Sequence, residues 1–172
     1  MGLGQTARGE GKLDDAETHI RNVLHTSQRI GSEPDVARTV SLSELGFIAE
    51  HRGDPAAARS WHIQSLTAAQ ALGDPQAVAQ ALTGLAGAHA LGGQPDRAAR
   101  LLGAADAAWR APGAGPPPGD GADASADVTR ITAVTRQALG EAAFAAEFER
   151  GRRLRPQQAS SLLPHVYHGP RS

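Results

Sequence analysis

The chain has 172 residues, 17 Lys+Arg against 18 Asp+Glu, no cysteine and only 3% aromatic residues. Disulfide scaffolds and cysteine-based zinc sites are excluded, and a net charge of −1 supplies no field to hold a phosphate backbone or an anionic membrane, so neither nucleic acid nor membrane is expected as a direct partner. Without aromatic bulk the core must come from Ala, Leu, Val and Ile, which favours closely packed helices and an all-α fold.

In chain order, the dominant signal is an internal repeat. GKLDDA from Gly11, GDPAAA from Gly53 and GQPDRA from Gly93 align without gaps around Gly-x-x-x-x-Ala. Upstream of each alanine stand Leu3-Gly4, Leu45-Gly46 and Leu85-Ala86; downstream stand Gly31, Gly73 and Gly113. A small residue beside the leucine lets two helices approach closely, and the terminal glycines supply left-handed turns. Asp54-Pro55 and Asp74-Pro75 each place an N-cap acceptor before a proline at the first helical position, with Glu33-Pro34 and Gln94-Pro95 as weaker forms. Helices are therefore expected near 13–30, 34–51, 55–72, 75–91 and 95–110, with 1–9 the remnant of one more. Apolar stripes such as Leu13, Ala16, Ile20, Val23 and Leu24 cannot close alone, so the pairs should stack into a short right-handed solenoid.

The domain reading is repeats over 1–111 (1–31, 34–73 and 75–111), a Pro/Gly-rich linker over 112–124, a capping helical hairpin over 125–155 and a short helix with a disordered tail over 156–172. The hairpin's helices are expected at 127–139 and 141–154, broken at Gly140, with Val128, Ile131, Val134, Leu139, Phe144 and Phe148 as the apolar side. Its register lacks the leucine and alanine landmarks.

Candidate chemistry is thin. His165 and His168 have helical metal spacing but sit between prolines without a third ligand, His19 and His25 lie on different faces, and His51, His62 and His89 fall one to a repeat, which suits packing or groove lining, so no metal is expected. Asp14-Asp15 and Glu147-x-Glu149 point apart on a helix, and no serine has a nucleophile elbow. No catalytic residue, enzyme activity or cofactor is expected. Arg150, Arg152, Arg153 and Arg155 gather where cations offset helix-terminal carbonyls, and Trp61 and Trp109 should pack between repeats.

The landmarks resemble the tetratricopeptide repeat. The period of about 40, with GQPDRAARLLGAADAAWRAPGA and RQALGEAAFAAEFERGRRL, resembles the C-terminal arm of large actinobacterial transcriptional regulators of the LuxR/MalT ATPase and antibiotic-regulator types. The resemblance implies a protein-interaction or sensor module of bacterial signal transduction, cytoplasmic, with a protein or peptide in the concave groove. Residues carried over from the family's groove pattern are Gln5 and Arg8, then Ser43, Phe47 and Glu50, then Thr83, Gly87 and Ala90. The chain lacks the phosphate loop of those regulators and a following helix-turn-helix, so it reads as a fragment or shortened member; the alternative is the C-terminal part of a transcriptional regulator whose ATPase and DNA-binding domains lie elsewhere. An N-terminal edge without its upstream repeat is expected to fray through about residue 30 or to self-associate.

Overall fold

A computed structural model describes residues 13–30, 36–114, 123–155 and 158 of the chain. These residues form seven α-helices: α1 Leu13–Ile30, α2 Val36–His51, α3 Pro55–Leu72, α4 Pro75–Leu91, α5 Pro95–Trp109, α6 Asp123–Leu139 and α7 Glu141–Arg152. The fold is an all-α solenoid of stacked helix-turn-helix pairs.

The turns explain the regularity. Asp54 caps α3 by accepting the Ala57 N–H at 3.0 Å, and Asp74 caps α4 by accepting from Gln76 and Ala77 at 2.9 and 3.2 Å. Gly53, Gly73 and Gly93 have φ of +74°, +65° and +73°. Each donates its N–H to a carbonyl three residues back while the next residue donates five back, as in Asp54 to Ala49 at 3.0 Å and Gln94 to His89 at 2.9 Å. This paired closure needs a left-handed residue, which glycine adopts without steric cost, and it makes the residue closing one helix the cap of the next.

The pair α2/α3 stacks on α4/α5, with α1 against α2. Residues 41–50 of α2 and 81–89 of α4 are buried throughout, so these helices form the middle of the molecule. Ala16, Ile20 and Leu24 of α1 meet Leu42, Leu45 and Ile48 of α2. A larger core runs from Leu66 and Ala69 through Leu82, Leu85, Leu101 and Leu102 to Ile131 and Phe144.

Several expected boundaries move. Residues 31–35, including Pro34, lie outside the described residues, and α2 is described from Val36. The last pair of helices starts at Asp123 and ends at Arg152, against the expected 127 and 154. No glycine or proline follows Gly121 before Gly140, so nothing local stops α6 from extending back over Asp123-Ala-Ser-Ala. Leu3, the 115–122 part of the expected linker and the tail carrying His165 and His168 lie outside the described residues.

The expected apolar side of α6 is also corrected. Ile131 is buried, yet Val134 is 50% exposed and Thr135 is fully buried in its place. Asp127, Ile131 and Thr135 succeed one another at i, i+4, so the inward face passes one position C-terminal to Val134. The two helices of this hairpin take different places: α7 stacks along α5, while α6 turns across α4 and α5.

Candidate functional site

The face shared by α2 and α4 carries six of the eight groove residues. Gln5 and Arg8 lie outside the described residues. An open groove wall would expose the six, but Ser43 (2%), Phe47 (2%), Glu50 (7%) and Thr83 (3%) are buried, as is Gly87, and Ala90 is half-buried. The face is buried for two reasons.

The first is a tightly packed histidine. His62 of α3 is fully buried between Gly46 of α2 and Gly84 of α4. A Cβ on Gly46 would stand 2.4 Å from the imidazole, and one on Gly84 only 2.1 Å from it. Phe47 meets the same ring edge to face, with centroids 4.8 Å apart and an interplanar angle of 71°. The landmark glycine thus makes room for an imidazole, and Phe47 is turned toward the core.

The second is α6. Its Ile131 reaches Gly87, where a Cβ would meet Ile131 Cδ1 at 2.8 Å and Glu50 Oε1 at 2.2 Å. Arg130 Nη2 donates to Glu50 Oε2 at 2.5 Å and to Asp127 Oδ1 at 3.2 Å. Burial opposes the Arg130 charge, but the Glu50 carboxylate, helped by Asp127, outweighs it and raises the guanidinium's pKa. The Glu50 side chain is only 4% exposed, so its carboxylate and the guanidinium form a partly buried ion pair. Thr83 Oγ1 is satisfied within its own helix by Ala79 O at 2.9 Å.

Sequence reasoning misses Asp127 and Arg130 because it follows only the apolar positions of α6. The available signal is an acid and an arginine three apart beside Ile131, which places both charges on one side of a helix.

Among the other singled-out residues, His19, His25 and His51 are exposed, against the packing or groove lining expected of His51, because each stands on the outer side of its helix or at its end. Arg52 binds both Asp14 and Glu17 and ties α1 to the end of α2. Its guanidinium pKa is raised, chiefly by the hydrogen bond to Glu17. Trp61 packs between α1 and α2, with the Arg21 guanidinium 5.5 Å from its ring centroid. Arg150 pairs with Glu147 at 2.6 Å, Arg152 with Asp106 at 3.2 Å and Arg153 with Glu149 at 3.4 Å. His89 is buried, with Nδ1 2.7 Å from Gln94 Oε1, and burial lowers its pKa. Among the described residues no group of three or more His, Asp or Glu is placed to hold a metal ion, and no helix is long and apolar enough to cross a membrane.

Residues 38–105 match the family model described as Tetratricopeptide repeat. The match begins within α2 and ends within α5, so it covers both stacked pairs. Neither a curated protein nor a solved structure matches the chain. Tetratricopeptide repeats are scaffolds for protein–protein interaction, and the α2–α4 face is the surface through which this segment already grips a helix.

Proposed function

We propose that the chain is a protein-interaction module whose α2–α4 face receives an amphipathic helix, and that α6 is the helix it holds in the absence of a partner. The observation that carries this reading is the convergence of Arg130 on Glu50 and of Ile131 on Gly87. A buried carboxylate facing the incoming helix asks for a cation, and a glycine beside it accepts an aliphatic side chain at close range. Glu50 and Gly87 form the receiving side, with Thr83, Ser43 and Ala90 at its margins and Phe47 packed behind it on His62. Gln5 and Arg8 would extend the same line on the preceding repeat.

The wider reading is an interaction or sensor arm of a cytoplasmic bacterial signal-transduction regulator of the LuxR/MalT or antibiotic-regulator type. It is supported by the segments from Gly93 to Ala114 and from Arg136 to Leu154, which resemble the arms of those regulators. In such a protein the arm binds and catalyses nothing itself. Self-association through the α1 edge is the second interaction we assign to it.

The test uses a fluorescein-labelled peptide of residues 123–139, read by fluorescence anisotropy against the full chain. The wild-type chain should bind it poorly, because its own α6 competes at an effective concentration of about millimolar. Ile131→Asp should loosen that helix and permit saturable binding, and adding Glu50→Lys should abolish it. An Ile131→Asp chain that keeps its helical circular dichroism and still ignores the peptide would overturn the reading.

A further inference from the structure

A cavity of about 420 Å³ is lined by α5, α6 and α7 together with Thr83 of α4. Its walls include Leu102, Trp109, Val128, Phe144 and Phe148. The chain has only 2 Trp, 1 Tyr and 3 Phe, so half its aromatic residues line this one space. Phe144 and Phe148 stack with centroids 5.6 Å apart, and the Arg136 guanidinium lies 4.6 Å from the Phe144 centroid. Aromatic walls of this kind, in a volume within the roughly 300–1,000 Å³ of small-molecule sites, offer dispersion and stacking to a compact ligand.

The charges around the mouth decide what kind of ligand. Asp106 is bound by Arg110 at 2.9 Å and by Arg152 at 3.2 Å. Glu149 is bound by Arg152 at 3.3 Å and by Arg153 at 3.4 Å, and Glu141 by Arg136 at 3.2 Å. Every acid in the lining is therefore matched to an arginine, and its one guanidinium is matched to an acid. These pairs leave no uncompensated charge in the lining to attract a charged ligand, whereas a neutral one gains the aromatic surface.

We propose that this cavity is a binding site for a small, uncharged aromatic molecule. Such a ligand would touch α5, α6 and α7 at once, and its occupancy would hold α6 against the repeats. The proposal does not rest on the helix-binding reading, although α6 and Thr83 border both sites.

The experiment titrates neutral N-phenyl-1-naphthylamine into the full chain carrying Trp61→Phe, which leaves Trp109 as the tryptophan that can transfer energy to the probe. Saturable binding at one site, with quenching of Trp109, is expected in this background, and the variants that add a tryptophan are compared by the probe's own directly excited emission. Ala145→Trp places an indole in the cavity from an exposed position on α7 and should weaken binding by about tenfold or more. Ala146→Trp, exposed and outside the lining, should leave it unchanged. If Ala145→Trp loses helical circular dichroism, Thr132→Trp plugs the cavity from α6 instead. The anionic analogue 8-anilinonaphthalene-1-sulfonate should bind more weakly than the neutral probe. Binding that does not saturate, that survives the plug, or that favours the anion would overturn the proposal.

Discussion

The contact of α7 with α5 and the contact of α6 with the α2–α4 face are made of opposite materials. Along α5 and α7 the backbones themselves touch: a Cβ on Gly103 would fall 1.9 Å from Phe148 O, and one on Gly151 would fall 1.9 Å from Arg100 O. The paired Arg100 and Glu147 side chains flank this approach. By contrast, α6 is held through side chains, with Arg130 on Glu50 and Ile131 over Gly87. A backbone contact admits only glycine on both helices and no substitute sequence, so α7 is a fixed part of the array. A side-chain contact can be reproduced by any helix carrying an arginine beside an aliphatic residue. On the proposed reading, one hairpin then contains both a permanent stack and a replaceable occupant.

The sharpest way to break the permanent half is Gly103→Ala. The methyl group has no flexible neighbour to displace, so we expect a loss of about 3 kcal/mol in urea unfolding, at the upper end of the usual overpacking range. A loss below about 1 kcal/mol would mean that the two backbones separate easily, and the contrast with α6 would vanish.

Gly46→Leu lies between the two extremes, since it meets a side chain, the His62 imidazole, in place of a backbone. We expect about 2 kcal/mol of destabilisation, measured by thermal unfolding beside Gly113→Ala. Gly113 has open space around it and a φ of +85°, so its substitution should cost only backbone strain, about 1 kcal/mol. Equal shifts would remove the register assigned to the landmark glycine.

Breaking the replaceable half should cost less. Arg130→Met removes the cation from Glu50, but Arg130 is 41% exposed, so the loss is expected near 1–2 kcal/mol, less than for a fully buried pair. Pairing it with Glu50→Gln in a double-mutant cycle should recover most of that loss. Additive costs would show that the two residues do not act together.

The smallest effects are those of pH. Glu147 is held below the ordinary glutamate range, first by its hydrogen bond to Arg100. Its contribution is present above the unfolded value of about 4.3 and is lost as pH falls through the lower folded value. Glu17, lowered chiefly by its hydrogen bond to Arg21, should behave alike. Each should be worth less than about 1 kcal/mol, read as the acid-limb difference between the wild type and Glu147→Gln or Glu17→Gln. His89 acts at higher pH: burial depresses its pKa, so below about 6.5 the unfolded chain takes up a proton that the folded chain refuses, and stability falls. His89→Gln should flatten the curve in that interval, and an unchanged curve would remove His89 as its source.

Much of the repeat array is legible in the sequence. The spans Pro55–Leu72 and Pro75–Leu91 follow from Asp-Pro at one end and a left-handed glycine at the other, because capping and turn chemistry act within a few residues. The candidate site is legible only in part. Ser43, Phe47, Glu50, Thr83, Gly87 and Ala90 do gather on α2 and α4, but their burial runs against the expected open groove, since nothing in a repeat motif says which other part of the chain will cover it. Val134 departs from expectation for a related reason: the face through Val128, Ile131 and Val134 is the more apolar in sequence, and the choice of Thr135 over Val134 is made by the surface that α6 meets.

The sequence by itself determined the all-helical class, the repeat period and the turns, because each depends on hydrogen bonds and dihedral preferences spanning a handful of neighbouring residues. Only the tertiary structure decided that His62 fills the space between Gly46 and Gly84, that Gly103 and Gly151 bring two backbones together, and that α6 lies over Glu50. Those outcomes rest on contacts between residues as far as 80 positions apart, where shape and charge must match across helices that no local pattern brings together.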